Sequence, residues 1–156
     1  MIFNSALSLE QRVQILQDIE EIKSLKHLYC QYADIWGKPG QVDEFAALFS
    51  QTGQLDVGLG VYIGPAAIAK GLREMSLVWK RCIHLCINPK IEVDGDRATG
   101  TWYGSHPTSA DEHDNPLWIV GIYDEEYVRT SAGWRFQFVK ERLAIEPAEF
   151  RNAYKA

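Results

Sequence analysis

Asp18-Ile19-Glu20-Glu21-Ile22-Lys23-Ser24-Leu25-Lys26-His27-Leu28-Tyr29-Cys30-Gln31-Tyr32-Ala33-Asp34-Ile35-Trp36 is the stretch around which the chain is organised. Ile22, Leu25, Tyr29, Tyr32 and Trp36 recur at spacings of three and four, which predicts an amphipathic helix with one buried face. Its charges sit mostly off that face. Toward the C-terminal end tyrosines replace aliphatics, and a lone carboxylate, Asp34, precedes the breaker Gly37-Lys38-Pro39-Gly40. Two phenols, a carboxylate and an indole fill a core poorly and line a pocket well. In a regular helix Asp34 would project away from Tyr29, because five residues turn about 500°. Unwinding near Asp34, as the breaker suggests, lets both face one pocket.

Upstream, Ser8-Leu9-Glu10-Gln11 has the pattern of a capping box, opening a helix toward Leu16 and on into this stretch. Downstream, Val42, Phe45, Leu48 and Phe49 predict a second helix ended by Gly53, and the Gly-rich run from Gln54 to Ile63 a bent strand. Gly64-Pro65 starts a third helix with Ile68, Leu72, Met75 and Trp79 on one face. From Arg81 the period becomes two. Strands are predicted from Cys82 to Ile87 and on past Pro89 to Val93, then from Ala98 to His106, Leu117 to Arg129 and Trp134 to Ile145. Asp94-Gly95-Asp96 and Thr130-Ser131-Ala132-Gly133 are turns, 107–116 a polar loop, and the tail from Pro147 a short helix. Helices first and a meandering sheet second predict one α+β domain over residues 1–156, helices packed on one sheet face.

The 156 residues suffice for one ordinary core. A net charge of −5 without a basic run argues against a nucleic-acid partner. No apolar run approaches the ~20 residues of a membrane helix, and the N-terminus lacks the pattern of a signal peptide. Three cysteines do not make a disulfide framework, so a cytoplasmic location is expected.

Among the four histidines, His27 and His113 lie in polar surroundings and read as surface residues. His84 lies inside Cys82-Ile83-His84-Leu85-Cys86-Ile87, where a ring needs hydrogen-bond partners. Cys82, His84 and Cys86 do not form a metal box, because the two cysteine backbones are ~13 Å apart along a strand. The opposite face, Ile83, Leu85 and Ile87, is also apolar, which suggests a partner subunit covering it. On the next strand Ala98, Gly100, Trp102, Gly104 and His106 share a face, small residues beside one indole that leave room for a ligand or curve the strand. Tyr123, Tyr127 and Arg129 share a face on the third long strand.

Taken together these residues resemble the SnoaL-like branch of the nuclear transport factor 2-like superfamily. The matching motifs are Tyr29…Asp34, Asp43-Glu44-Phe45…Leu48-Phe49, Gly64-Pro65, His84…Asn88-Pro89-Lys90-Ile91-Glu92-Val93-Asp94-Gly95-Asp96-Arg97-Ala98-Thr99-Gly100, Tyr123…Glu125…Tyr127-Val128-Arg129 and Gly133-Trp134-Arg135. They span roughly residues 18 to 145. The resemblance implies a cone-shaped fold, N-terminal helices on a curved, mixed, mostly antiparallel sheet, with a pocket between them. It is strongest to three cofactor-free lyases: scytalone dehydratase, bile-acid 7α-dehydratase and hexachlorocyclohexane dehydrochlorinase. In those enzymes an Asp at the end of the first helix and a His on the first long strand work as a pair, and Asp34 and His84 hold those positions. Tyr29, His106 and Arg129 also match site residues. Ala33 and Ala144 depart from the pattern, standing where one or another of these enzymes has a tyrosine and an arginine.

The resulting expectation is a cofactor-independent lyase, eliminating water or another group or cleaving a C–C bond. His84 serves as base and Asp34 holds its tautomer, while Tyr29, His106 and Arg129 assist. Tyr32, Trp36, Trp102, Tyr123 and Tyr127 would bind a small apolar, cyclic or aromatic substrate. The alternatives are an isomerase or cyclase, or a non-catalytic small-molecule-binding module. No cofactor or metal is expected, and the assembly is expected to be a homo-oligomer, dimer or trimer.

Overall fold

The computed structural model describes residues 7–36, 41–58, 60–78, 80–109 and 117–145. The elements in order are α1 (Leu9–Ala33), β1 (Ile35–Trp36), α2 (Val42–Ala46), β2 (Phe49–Asp56), β3 (Val61–Ile63), α3 (Pro65–Val78), β4 (Arg81–Cys82), β5 (Leu85–Asp94), β6 (Arg97–Ser109), β7 (Leu117–Thr130) and β8 (Gly133–Ile145). His113, Trp79, the breaker at 37–40 and the tail from Pro147 lie outside the described residues.

A single helix runs through the two predicted segments. Ser8 caps it: its hydroxyl accepts the Gln11 N–H while Gln11 reaches back to the Ser8 N–H, a closed capping box. The buried face carries Ile19, Ile22, Leu25, Tyr29 and Ala33, and also Asp18 and Lys26. Two charges thus sit on the face expected to be apolar. Tyr32 is only half-buried. Pro65 opens α3, and Ile68, Leu72 and Met75 bury against the core. The second helix is shorter than expected. Leu48 leaves α2, and Phe49 begins β2, whose ladder with β8 shifts register between Phe49 and Gln54. Gly53 lies in that irregularity, where a Cβ would stand 2.8 Å from the Phe136 carbonyl oxygen.

The strands form one sheet in the order β1-β4-β6-β7-β8-β2-β3, with β5 also on β6. The β2–β8 pair is parallel and the others antiparallel. The expected first long strand is in fact β4 and β5, separated by Ile83 and His84. A second interruption lies at Asn88-Pro89, where Asn88 has φ of 52° and the register against β6 shifts. Proline cannot donate to a ladder, so the strand bulges there. The bulge decides which side chains face inward. Cys86 packs on the core before it, and Ile91 and Val93 after it, so the inward parity changes from even to odd.

The core lies between α1, α2, α3 and the concave sheet face and centres on Phe45, Phe49, Tyr29, Tyr127 and Phe136. The other sheet face exposes apolar groups: Leu85, Ile87, Tyr103 and Trp118 are each about half exposed, and Ile87 pairs across the ladder with Tyr103. Among the described residues no helix is long and apolar enough to cross a membrane.

Candidate active site

Asp34 is the residue at which α1 stops. Its N–H closes the last helical bond, to the Cys30 carbonyl at 3.1 Å, while its φ of −60° and ψ of 135° turn the chain into β1. That unwinding swings the carboxylate toward His84. One oxygen, Oδ1, accepts the His84 backbone N–H at 2.7 Å and lies 3.2 Å from Nδ1 of its ring. The two-point contact orients the imidazole with Nδ1 toward the acid. Nε2 is 3.9 Å from Sγ of Cys82. Burial opposes a charge on His84, but the Cys82 sulfur and the Asp34 carboxylate outweigh it and raise the ring's pKa to about 10. At neutral pH the resting ring is therefore an imidazolium. In this form both ring nitrogens carry a proton.

A second histidine stands opposite. The pairing of β4 with β6, Cys82 with Thr108, and of β5 with β6, Leu85 with Ser105, keep one register, which places His84 across from His106. Their ring centroids are 4.9 Å apart. His106 is buried, and its Nε2 lies 2.8 Å from Oε1 of Glu141, also buried, and 3.3 Å from the Tyr123 hydroxyl. Burial lowers the pKa of His106 despite the nearby Glu141, so this ring is neutral at neutral pH. Two glycines make room for the cluster. Gly104 and Gly121 are cross-strand partners. A Cβ on Gly121 would meet Oε1 of Glu141 at 2.5 Å, and one on Gly104 would meet Nε2 of His106 at 2.8 Å.

Both histidines line a cavity between the sheet and the helices. Ala33, Phe45, Leu55, Val57, Leu72, Met75, Ile119 and Leu143 supply its apolar wall, and Tyr29, Cys82, Thr108, Tyr123 and Glu141 complete it. The space open to centres of water-sized molecules is about 80 Å³. Burial holds the pKa values of Tyr29 and Tyr123 well above the ordinary phenol value, so both remain proton donors. The Tyr29 ring meets that of His84 edge-on at 6.4 Å. Asp56, next to Val57 of the wall, is 3.3 Å from Lys140.

Four of the expected site residues therefore gather with Asp34 at one place: Tyr29, His84, His106 and Tyr123. Others do not. Arg129 lies 2.7 Å from Asp18, 3.0 Å from Asp96 and over the Trp134 ring. It sits beside the start of β6, nine residues before His106, or about 30 Å along the strand. Tyr127 and Trp102 join a separate network: Trp102 Nε1 donates to the Tyr127 hydroxyl at 3.0 Å, which donates to Glu125. Neither lines the cavity, nor does Tyr32. Trp36 pairs its backbone with Arg81 in the β1–β4 ladder. The small residues of β6 do not open ligand space either. Gly100 accommodates the Tyr127 ring, and Gly104 the Tyr123 ring and His106.

Glu141, Lys26 and Glu125 were not singled out from the sequence. The signal was an acid flanked by apolar or aromatic residues at period two, Val139-x-Glu141-x-Leu143 and Tyr123-x-Glu125-x-Tyr127. Such an acid is carried inward by its strand.

The comparisons agree with this architecture. A family model described as SnoaL-like domain matches residues 14–140. No curated protein matches the chain significantly. Among solved structures, the Kfla4162 protein from Kribbella flavida is 20% identical over 91% of this chain and 99% of its own, with a TM-score of 0.77. An NTF2-like protein with a cystatin-like fold from Novosphingobium aromaticivorans is 23% identical over 97% of both chains, with a TM-score of 0.71. A hexachlorocyclohexane dehydrochlorinase, LinA type 2, is 19% identical over 85% of this chain and 89% of its own, with a TM-score of 0.77. With 127 of its 156 residues matched and this sheet and helix order, the chain belongs to the SnoaL-like domain family and has the nuclear transport factor 2-like, cystatin-like fold.

Proposed function

We propose that the protein is a cofactor-independent lyase that eliminates water or a comparable leaving group from a small, largely apolar cyclic or aromatic substrate. The observation that carries this reading is the contact of Asp34 with His84, whose ring lines a cavity walled by apolar residues and a few polar ones. A carrier has no need of a carboxylate–imidazole pair at its ligand. The likeness to a dehydrochlorinase, itself an eliminating enzyme by name, supports the same class.

In this reading the substrate lies in the cavity with its leaving oxygen or halogen toward Nε2 of His84. The imidazolium donates a proton, or a hydrogen bond, as the bond to carbon breaks. Asp34 keeps the ring oriented and balances its charge beforehand. The phenols of Tyr29 and Tyr123 offer further donors. The apolar wall excludes water, which strengthens each of these contacts.

The test is a screen of hydroxylated and halogenated cyclic compounds with product detection by NMR, followed by variants on any compound turned over. Asp34→Asn and His84→Phe are expected to lower kcat by about 10²–10⁴-fold, the range for a positioned acid or base. Full turnover in both variants rules out Asp34 and His84 as the catalytic pair, and a wild type that binds but converts none of the compounds leaves the binding module. We further propose that the exposed apolar face around Ile87, Tyr103 and Trp118 is covered by a second copy of the chain. Sedimentation of the wild type against Trp118→Glu checks this, with a lower mass expected for the variant.

A further inference from the structure

Within the described residues His106 Nδ1 is a buried polar atom without a protein hydrogen-bond partner, although the ring is 3% exposed and lines the cavity. Its other nitrogen is engaged. A carboxylate accepts hydrogen bonds, so Glu141 at 2.8 Å requires the ring proton on Nε2. In a neutral imidazole the remaining nitrogen then bears a lone pair. Glu141 is held for this purpose by two facing glycines, Gly104 and Gly121, whose missing side chains leave the space its carboxylate fills. The groups facing the ring are Glu141 from β8, Tyr123 from β7, His84 from the β4–β5 junction and, farther off, Lys26 from α1.

We infer that Glu141 is a positioning residue that fixes His106 in the tautomer with Nδ1 unprotonated, making His106 the proton acceptor of the cavity and selecting substrates that present an O–H or acidic C–H to it. The inference rests on the reading of the cavity as an active site. It divides the chemistry between the two rings. His106 Nδ1 takes a proton from carbon, the C–H electrons form the new double bond, and the leaving hydroxyl departs with the proton from His84 Nε2 as water. Afterwards His106 is charged and His84 neutral, and exchange with solvent resets both. Two titratable groups in opposite protonation states 4.9 Å apart form an acid–base pair.

Phenol and benzene test the acceptor, since they differ by one hydroxyl, and ring ¹⁵N NMR of labelled protein reports the tautomer without any ligand. Wild-type His106 is expected in the Nε2–H form, and phenol is expected to bind about tenfold tighter than benzene, the equivalent of one net hydrogen bond. Glu141→Leu should remove both the fixed tautomer and most of that preference. Glu141→Gln preserves the shape but accepts either tautomer, so it should show mixed forms and a smaller preference, and it serves if the leucine variant does not fold. Acidification should erase the preference in the wild type as His106 takes up a proton. An Nδ1–H tautomer in the wild type overturns the inference. So does a phenol preference unchanged in both Glu141 variants, or equal binding of the two probes, as when water alone satisfies Nδ1. Loss of turnover in Asp34→Asn is independent of all this. If the wild type converts no compound while the Glu141-dependent preference persists, the lyase reading falls and His106 remains an acceptor in a binding site. If neither probe perturbs any cavity residue, both fall.

Discussion

The molecule buries two carboxylate–cation systems on the concave side of its sheet, and they are built differently. Around Lys26 the polar groups are closed on one another. Its ammonium lies 2.5 Å from Oε1 of Glu125 and over the rings of Tyr29 and Tyr123, at 4.0 and 3.6 Å. The second oxygen of Glu125 accepts the Tyr127 hydroxyl, and Trp102 supports that hydroxyl in turn. Burial works against the charge on Lys26, yet Glu125, foremost among several neighbours, opposes it and the pKa is raised. Around His84 and His106 the polar groups face a cavity, and Nδ1 of His106 has no partner among the described residues. A closed network specifies a core; an open one offers a hydrogen bond to a guest.

The sharpest way to break this contrast is to neutralise one acid in each system. Asp34→Asn keeps the shape and should cost turnover by about 10²–10⁴-fold, while a melting curve shows a far smaller effect. Glu125→Ala should do the opposite. It leaves a buried ammonium unpaired, and chemical denaturation should show a loss of about 3–5 kcal/mol. If Glu125→Ala is tolerated and Asp34→Asn unfolds the chain, the assignment of the two systems is inverted.

Arg129 tests the border of the comparison. It tethers buried Asp18, which also accepts from Gln14 and Trp134, so Arg129→Leu should cost about 1–3 kcal/mol of stability by denaturation and leave turnover of any identified substrate intact. At the far end of α1, Ser8→Ala should cost about 1 kcal/mol, the ordinary value of an N-cap, with no effect at the cavity.

The smallest effect is one of pH, and its sign separates the two histidines. His84 binds its proton more tightly folded than unfolded. Its contribution to stability is full below the unfolded pKa of 6.5 and is lost as pH rises toward about 10. His106 is shifted downward, so its contribution is present above 6.5 and is lost as pH falls through its folded pKa. Thermal melts across pH should decline on both sides. Asp34→Asn should flatten the alkaline limb and leave the acid limb.

Much of this was legible in the chain. The capping box at Ser8, the helix opened by Pro65, the turn at Gly95 and the long period-two strands are local matters of backbone and solvation, settled over a few residues. The breaker after Asp34 correctly signalled that the helix would unwind, and the contact of Asp34 with His84 follows from that. What the sequence could not determine depends on parity and on partners. A bulge at Asn88-Pro89 changes which residues of β5 face inward, and the interrupted but unshifted ladder of β4 and β5 puts His84 across from His106. Arg129 matched a functional position by pattern yet is held at the far end of its strand by Asp18 and Asp96. Lys26 and Glu125 were not singled out, because nothing local reveals that a residue 99 positions away supplies the opposite charge. Hydrophobic period and turn chemistry act over neighbours, so sequence alone determined the elements. Desolvation and charge pairing act across the fold, so only the tertiary structure decided which ionisable groups are core and which are chemistry.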